Sequence, residues 1–93
     1  MSDTEKRFLT ISNRLGLHAR PATALAELAG GFTAEIKLRR TDTDHQVDAK
    51  SIMQLLMLAA TRGTKLEVLA DGPDSSKAID AITELIESKF GEE

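Results

Sequence analysis

The stretch Phe32-Thr33-Ala34-Glu35-Ile36-Lys37-Leu38-Arg39 alternates strictly between apolar and polar side chains. Successive strand residues point to opposite faces, so this segment predicts a strand with one buried and one wet face. Strands of that kind suit antiparallel sheets, whose second face can stay in water. Just downstream, Arg40 to Asp44 is polar and turn-like, and His45 to Asp48 predicts a short partner strand with Val47 inward. Leu66, Val68 and Ala70 repeat the alternation against Lys65, Glu67 and Asp71, and Arg7 to Ser12 predicts a strand with Leu9 and Ile11 on one face.

Three helices fill the gaps. Ala19 to Ala29 places Ala22, Leu25, Ala26 and Ala29 on one stripe, with Pro21 in the first turn and Gly30-Gly31 as the stop. Ser51 followed three residues later by Gln54 is a capping-box pattern opening a helix that runs to about Ala60. A third helix spans about Ser75 to Lys89, with Ile79, Ile82, Leu85, Ile86 and Phe90 toward the core. The order is β-α-β-β-α-β-α. It predicts an α+β open-faced two-layer sandwich, a four-stranded antiparallel sheet with three helices on one face.

Composition narrows the function classes. Ninety-three residues predict a single domain over 1–93. Twelve basic and fifteen acidic residues leave a net charge of −3, which opposes a nucleic-acid footprint. Cysteine is absent and there are two histidines, so no metal site is expected and thiol chemistry is excluded. No apolar run approaches the length of a membrane span and the N-terminus is polar, so a cytoplasmic protein is expected. His45 is read as a surface residue, Arg39-Arg40 and Arg62-Gly63-Thr64-Lys65 as solvated charges.

His18 stands where a helix begins, between Gly16-Leu17 and Ala19-Arg20-Pro21. Helix starts have free N–H groups and a partial positive charge, and they hold anions. The dipole and Arg20 favour an uncharged imidazole with a lone pair for attack. The backbone at Gly16, Ala19 and Arg20, together with the Arg20 guanidinium, can then cradle a phosphoryl group. The blander reading is that His18 is a helix cap or a partly buried spacer.

Here the residues carry a resemblance. Gly16-Leu17-His18-Ala19-Arg20-Pro21-Ala22 resembles the active-site motif of the HPr phosphocarrier family of the bacterial phosphotransferase system, and Lys50-Ser51-Ile52-Met53 resembles its second motif. The resemblance implies an HPr-like fold and a histidine phosphocarrier. Enzyme I would phosphorylate His18 on Nδ1, Arg20 would stabilise the phosphoryl group, and an enzyme IIA domain would take it. No cofactor is implied, and a monomer is expected. The resemblance also implies a kinase target at Ser51, although Gln54-Leu55-Leu56 departs from the usual Gly-Val-Met. The alternative is a regulatory binding protein whose phosphorylation state selects partners. Leu17, Thr23, Glu27, Ile52, Met53 and Leu56 are the expected docking residues.

The chain is most similar to the nitrogen-branch (NPr) subfamily, through Asn13-Arg14-Leu15-Gly16, Glu27-Leu28-Ala29-Gly30-Gly31-Phe32, Leu55-Leu56-Met57-Leu58 and Phe90-Gly91-Glu92-Glu93. Glu27 replaces a lysine common in sugar-branch carriers, whereas Lys50-Ser51 leans toward kinase-regulated members.

Overall fold

The computed structural model describes residues 3–92, so Met1, Ser2 and Glu93 lie outside the described residues. The elements are β1 (Thr4–Thr10), α1 (Ala19–Gly30), β2 (Glu35–Arg40), β3 (Gln46–Asp48), α2 (Ile52–Met57), β4 (Lys65–Asp71) and α3 (Ser75–Glu87), followed by a turn at Lys89–Gly91. The strands form one sheet in the order β1-β4-β2-β3, and each neighbouring pair is antiparallel. The α+β sandwich predicted from the alternation is the architecture found.

Leu9, Ile36, Leu38, Val47, Leu66, Val68 and Ala70 form the buried face of the sheet. Leu25, Leu55, Leu58, Ile79, Ile82 and Ile86 pack over it from the helical layer. Burial of each large aliphatic side chain contributes about 1.5–3 kcal/mol, which is why helices that are short in isolation persist here. The other sheet face is open. Phe8, Glu67 and Arg39 share one cross-strand row on it. Arg39 Nε donates to Glu67 Oε1 at 3.1 Å, and Asp44 also pairs with that guanidinium. Arg40 pairs with Asp42. These arginines are therefore paired across turns and strands rather than simply solvated.

Several boundaries differ from the sequence expectation. β1 starts earlier, at Thr4, and ends at Thr10. β2 starts at Glu35 instead of Phe32, because the N–H groups of Thr33 and Ala34 donate to the Asp74 carboxylate, each at 2.8 Å, before the chain enters the ladder. β3 omits His45. α2 stops at Met57, short of Ala60, where Ala59 turns left-handed at φ 55°. The Arg40 guanidinium donates to the carbonyls of Leu58 (3.2 Å) and Ala59 (3.0 Å) and so closes that helix end. α3 ends at Glu87, and Leu85 and Phe90 are only partly buried. Gly31 ends α1 in right-handed conformation, φ −78°, instead of the expected left-handed one. Among the described residues no helix is long and apolar enough to cross a membrane.

Candidate functional site

His18 is the residue before the first turn of α1, extended at φ −85° and ψ −170°, and its side chain makes no capping bond to the helix. The imidazole is therefore free of the capping role that the blander reading gives it. The preceding loop is tied at several points. Leu17 N–H donates to Ala60 O at 2.8 Å, Gly16 N–H to Asn13 O at 3.2 Å, and His18 N–H to Gly16 O at 3.0 Å. Gly16 has φ +70°, and a Cβ there would lie 2.6 Å from Ala60 O. Only glycine lets the two loops approach so closely.

These bonds correct part of the cradle. The Gly16 N–H is already committed to Asn13, so Gly16 shapes the loop and offers no donor to an anion. Ala19 and Arg20 open the helix, where amides have no intrahelical acceptor. They remain the candidate backbone donors.

A residue from the far end of the chain enters this site. Glu92 Oε1 lies 2.9 Å from His18 Nε2 and accepts from Asn13 Nδ2 at 2.8 Å. Glu92 Oε2 accepts from the Arg20 guanidinium at 3.3 Å. The hydrogen bond from His18 holds the Glu92 carboxyl below the usual glutamate range, and that from Asn13 adds to it. Asn13 is fully buried and also donates to Gly16 O at 2.7 Å, so one amide braces loop and carboxylate together. Its Oδ1 has no partner among the described residues. The sequence reading counts only the dipole and Arg20 around His18; the structure adds a negative charge. Local pattern gives no signal for Glu92, which it presents only as part of an acidic terminus.

With Nε2 engaged, Nδ1 of His18 has no hydrogen-bond partner among the described residues. The side chain is about one-third exposed, within reach of another protein. Beside it, Ser12, Arg14, Arg62, Lys89 and Glu92 line a cavity of about 350 Å³. Arg7, Arg20, Arg39 and Arg40 each pair with a carboxylate, while Arg14 and Arg62 pair with none among the described residues. The site thus has an uncompensated positive rim.

Ser51 is the N-cap of α2, and its Oγ accepts from Gln54 N–H at 3.2 Å. The box is not reciprocal: Gln54 Oε1 accepts from Asp48 N–H at 2.9 Å instead of from Ser51. Ile52, Met53 and Leu56 are exposed, as is Met57 on the same helix; Leu15, in the loop before His18, is a further exposed apolar side chain. Glu27 is exposed. Thr23 is half-buried, its hydroxyl donating to Ala19 O at 2.8 Å. Leu17 is only 4% exposed and belongs to the core, so its side chain cannot serve as a docking contact. An apolar residue in a short loop gives no warning of whether it turns inward.

Residues 5–88 match the family described as PTS HPr component phosphorylation site. The chain is 48% identical to the phosphocarrier protein HPr of Cupriavidus necator, over 94% of this chain and 96% of that one. It is 43% identical to the phosphocarrier protein NPr of Escherichia coli K12, over 97% of this chain and 99% of that one. An HPr structure from Thermoanaerobacter tengcongensis superposes with a TM-score of 0.90 at 39% identity, covering 96% of this chain and 98% of its own. A histidine placed at a helix entry, on this sandwich and in this sequence, makes the chain a member of the HPr family of phosphocarrier proteins of the phosphotransferase system.

Proposed function

We propose that His18 is the phosphoryl acceptor, that Enzyme I is its donor and that an enzyme IIA domain is its acceptor. The observation that carries this reading is an Nδ1 with no partner among the described residues, on a ring whose Nε2 is held. In the transfer from Enzyme I the Nδ1 lone pair attacks phosphorus, the N–P bond forms, and the bond to the donor breaks with its electron pair leaving on the donor; in the onward transfer the acceptor's nucleophile attacks phosphorus and the N–P bond breaks with its electron pair returning to Nδ1. Charge spreads over the equatorial oxygens, and a preorganised guanidinium and helix-start amides stabilise it. Arg20, Ala19 and the amide of Arg20 itself fill those roles. Onward transfer runs the same step in reverse toward the second partner.

Docking falls to the exposed apolar side chains of α2, Ile52, Met53 and Leu56, with Met57 on the same helix. A carrier meets two partners in turn, and flexible methionines suit more than one surface. Arg14, Arg62 and Lys89 steer an acidic partner face toward His18. Exposed Glu27 supports a nitrogen-branch Enzyme I, since a reversed rim charge changes partner choice more than affinity. We read the protein as monomeric and acting in the cytoplasm. A second reading, control by a kinase at Ser51, is favoured by the position of that serine directly before exposed Ile52 and Met53.

The test is intact mass after incubation with Enzyme I of each branch and phosphoenolpyruvate. The expected result is an acid-labile gain of about 80 Da, one phosphoryl group, lost in His18→Ala with the fold retained. Labelling that persists in His18→Ala overturns the site. No gain with either Enzyme I overturns the carrier role and leaves a partner-selecting regulator controlled at Ser51.

A further inference from the structure

We propose that Glu92 is a positioning residue for phosphoryl transfer: its carboxylate keeps the proton of His18 on Nε2, so that Nδ1 carries the lone pair that attacks phosphorus. This rests on the reading of His18 as the acceptor.

The argument begins with what each atom can donate. An ionised carboxylate accepts hydrogen bonds and donates none. The Glu92 carboxyl is held ionised by three converging groups, His18, Asn13 and Arg20. At 2.9 Å from Oε1, His18 Nε2 must therefore be the donor. In a neutral ring with the hydrogen on Nε2, Nδ1 has the lone pair. A carboxylate behind a working imidazole fixes tautomer and ring orientation, as outer partners of reactive histidines commonly do.

The site is built to hold that carboxylate. Asn13 is fully buried, and its one amide nitrogen reaches both Glu92 Oε1 and Gly16 O, so the loop that carries His18 and the carboxylate move as a unit. The chain reaches this position through three successive left-handed residues, Lys89 (φ 59°), Phe90 (φ 57°) and Gly91 (φ 72°). Two of them are not glycine, and such a conformation persists only when surrounding contacts hold it. A tail without a seat to reach would relax.

The transfer step then balances. The Nδ1 lone pair forms the N–P bond, the donor keeps the electrons of the broken bond, and the Nε2–H stays on the ring. The ring gains positive charge as the bond forms, and Glu92 Oε1 is in place to offset it. Arg20 turns from Glu92 to the phosphoryl oxygens. Arg20 is exposed, so that exchange gives up only a weak solvated contact. Arg14, Arg62 and Lys89 line the adjoining cavity together with Glu92, so cationic groups remain nearby when Arg20 leaves.

The decisive measurement is the nitrogen-15 spectrum of the His18 ring at a pH where it is neutral, in wild type, Glu92→Gln and Glu92→Ala, paired with the kinetics of phosphorylation by Enzyme I. Wild type should show the Nε2–H tautomer alone. Glu92→Gln should keep it, since an amide oxygen still accepts, with a rate between those of wild type and Glu92→Ala because the carboxylate charge is lost. Glu92→Ala should show mixed tautomers and a maximal transfer rate lowered about tenfold, with KM for Enzyme I unchanged. A wild-type ring protonated on Nδ1 overturns the proposal. So does a Glu92→Ala protein whose tautomer and rate match wild type. If wild type takes no label at all, the acceptor role of His18 fails, and the tautomer spectra still report separately whether Glu92 sets the ring.

Discussion

Glu92 Oε1 and His18 Nε2 lie 2.9 Å apart across a separation of 74 residues. The contact makes the tail of the chain a component of the helix entry at which His18 sits. It also carries a pH dependence of definite sign. The Glu92 carboxyl is held below the usual glutamate range in the folded protein, first by the hydrogen bond from His18 and then by that from Asn13. A carboxyl depressed on folding contributes stability above its unfolded value and loses it as the pH falls through the lower folded value. Carbon-13 titration of the side-chain carboxyls should place the Glu92 midpoint below that of an unfolded-peptide glutamate. His18→Ala should raise it toward the ordinary value, and an unmoved midpoint would show that the contact does not form in solution.

Gly16→Ala tests the loop. The φ of +70° disfavours any Cβ, and the added atom would meet Ala60 O at 2.6 Å and Thr61 Cα at 2.8 Å. Both are backbone, so neither can rotate away. The expected loss is more than about 1 kcal/mol in urea unfolding, together with slower phosphorylation because the His18 loop must shift. A variant as stable and as fast as wild type would mean that this loop is looser than the close approach implies.

Met53→Glu tests the docking face. Met53 is 73% exposed, so the substitution should change stability by no more than about 0.5 kcal/mol. Burial of the new charge against a partner should weaken binding to Enzyme I at least tenfold, about 1.4 kcal/mol. Calorimetric titration reads both partners. Equal affinities for wild type and variant would remove α2 from the interface.

Ser51 separates a cap from a signal. Ser51→Ala removes the acceptor for Gln54 N–H and should cost about 1 kcal/mol. Ser51→Asp restores an acceptor and places negative charge at a helix N-terminus, so it should retain stability. If negative charge at this position regulates docking, Ser51→Asp should still bind Enzyme I or the IIA domain more weakly. Full binding by Ser51→Asp would leave Ser51 with the capping role alone.

Much of the fold is legible because its causes are local. The alternation of Ala34, Ile36 and Leu38 with charged neighbours and that of Leu66, Val68 and Ala70 both encode a sheet with one covered face, and both strands are found. Where the expectation misses, a distant group has intervened. Asp74 takes the N–H groups of Thr33 and Ala34 and delays β2. Arg40 closes α2 early at Leu58 and Ala59. Gln54 turns to Asp48 rather than completing the box with Ser51. Leu17 turns into the core although its neighbours Leu15 and His18 remain accessible. Each outcome depends on which partner the packed chain brings near, and except for Asp48, six residues before Gln54, that partner lies outside any window of a few residues.

By itself, the sequence determined the order of elements, the one-sided sheet and the placement of His18 and Arg20 at the start of α1, because periodicity and helix-start chemistry act over a few residues. Only the tertiary structure decided which nitrogen of His18 is held and which has no partner among the described residues. That choice belongs to Glu92 and Asn13, brought together by a left-handed tail and a buried amide. A contact closed over so long a loop is set by the packed core beneath it, and so it is absent from any local pattern.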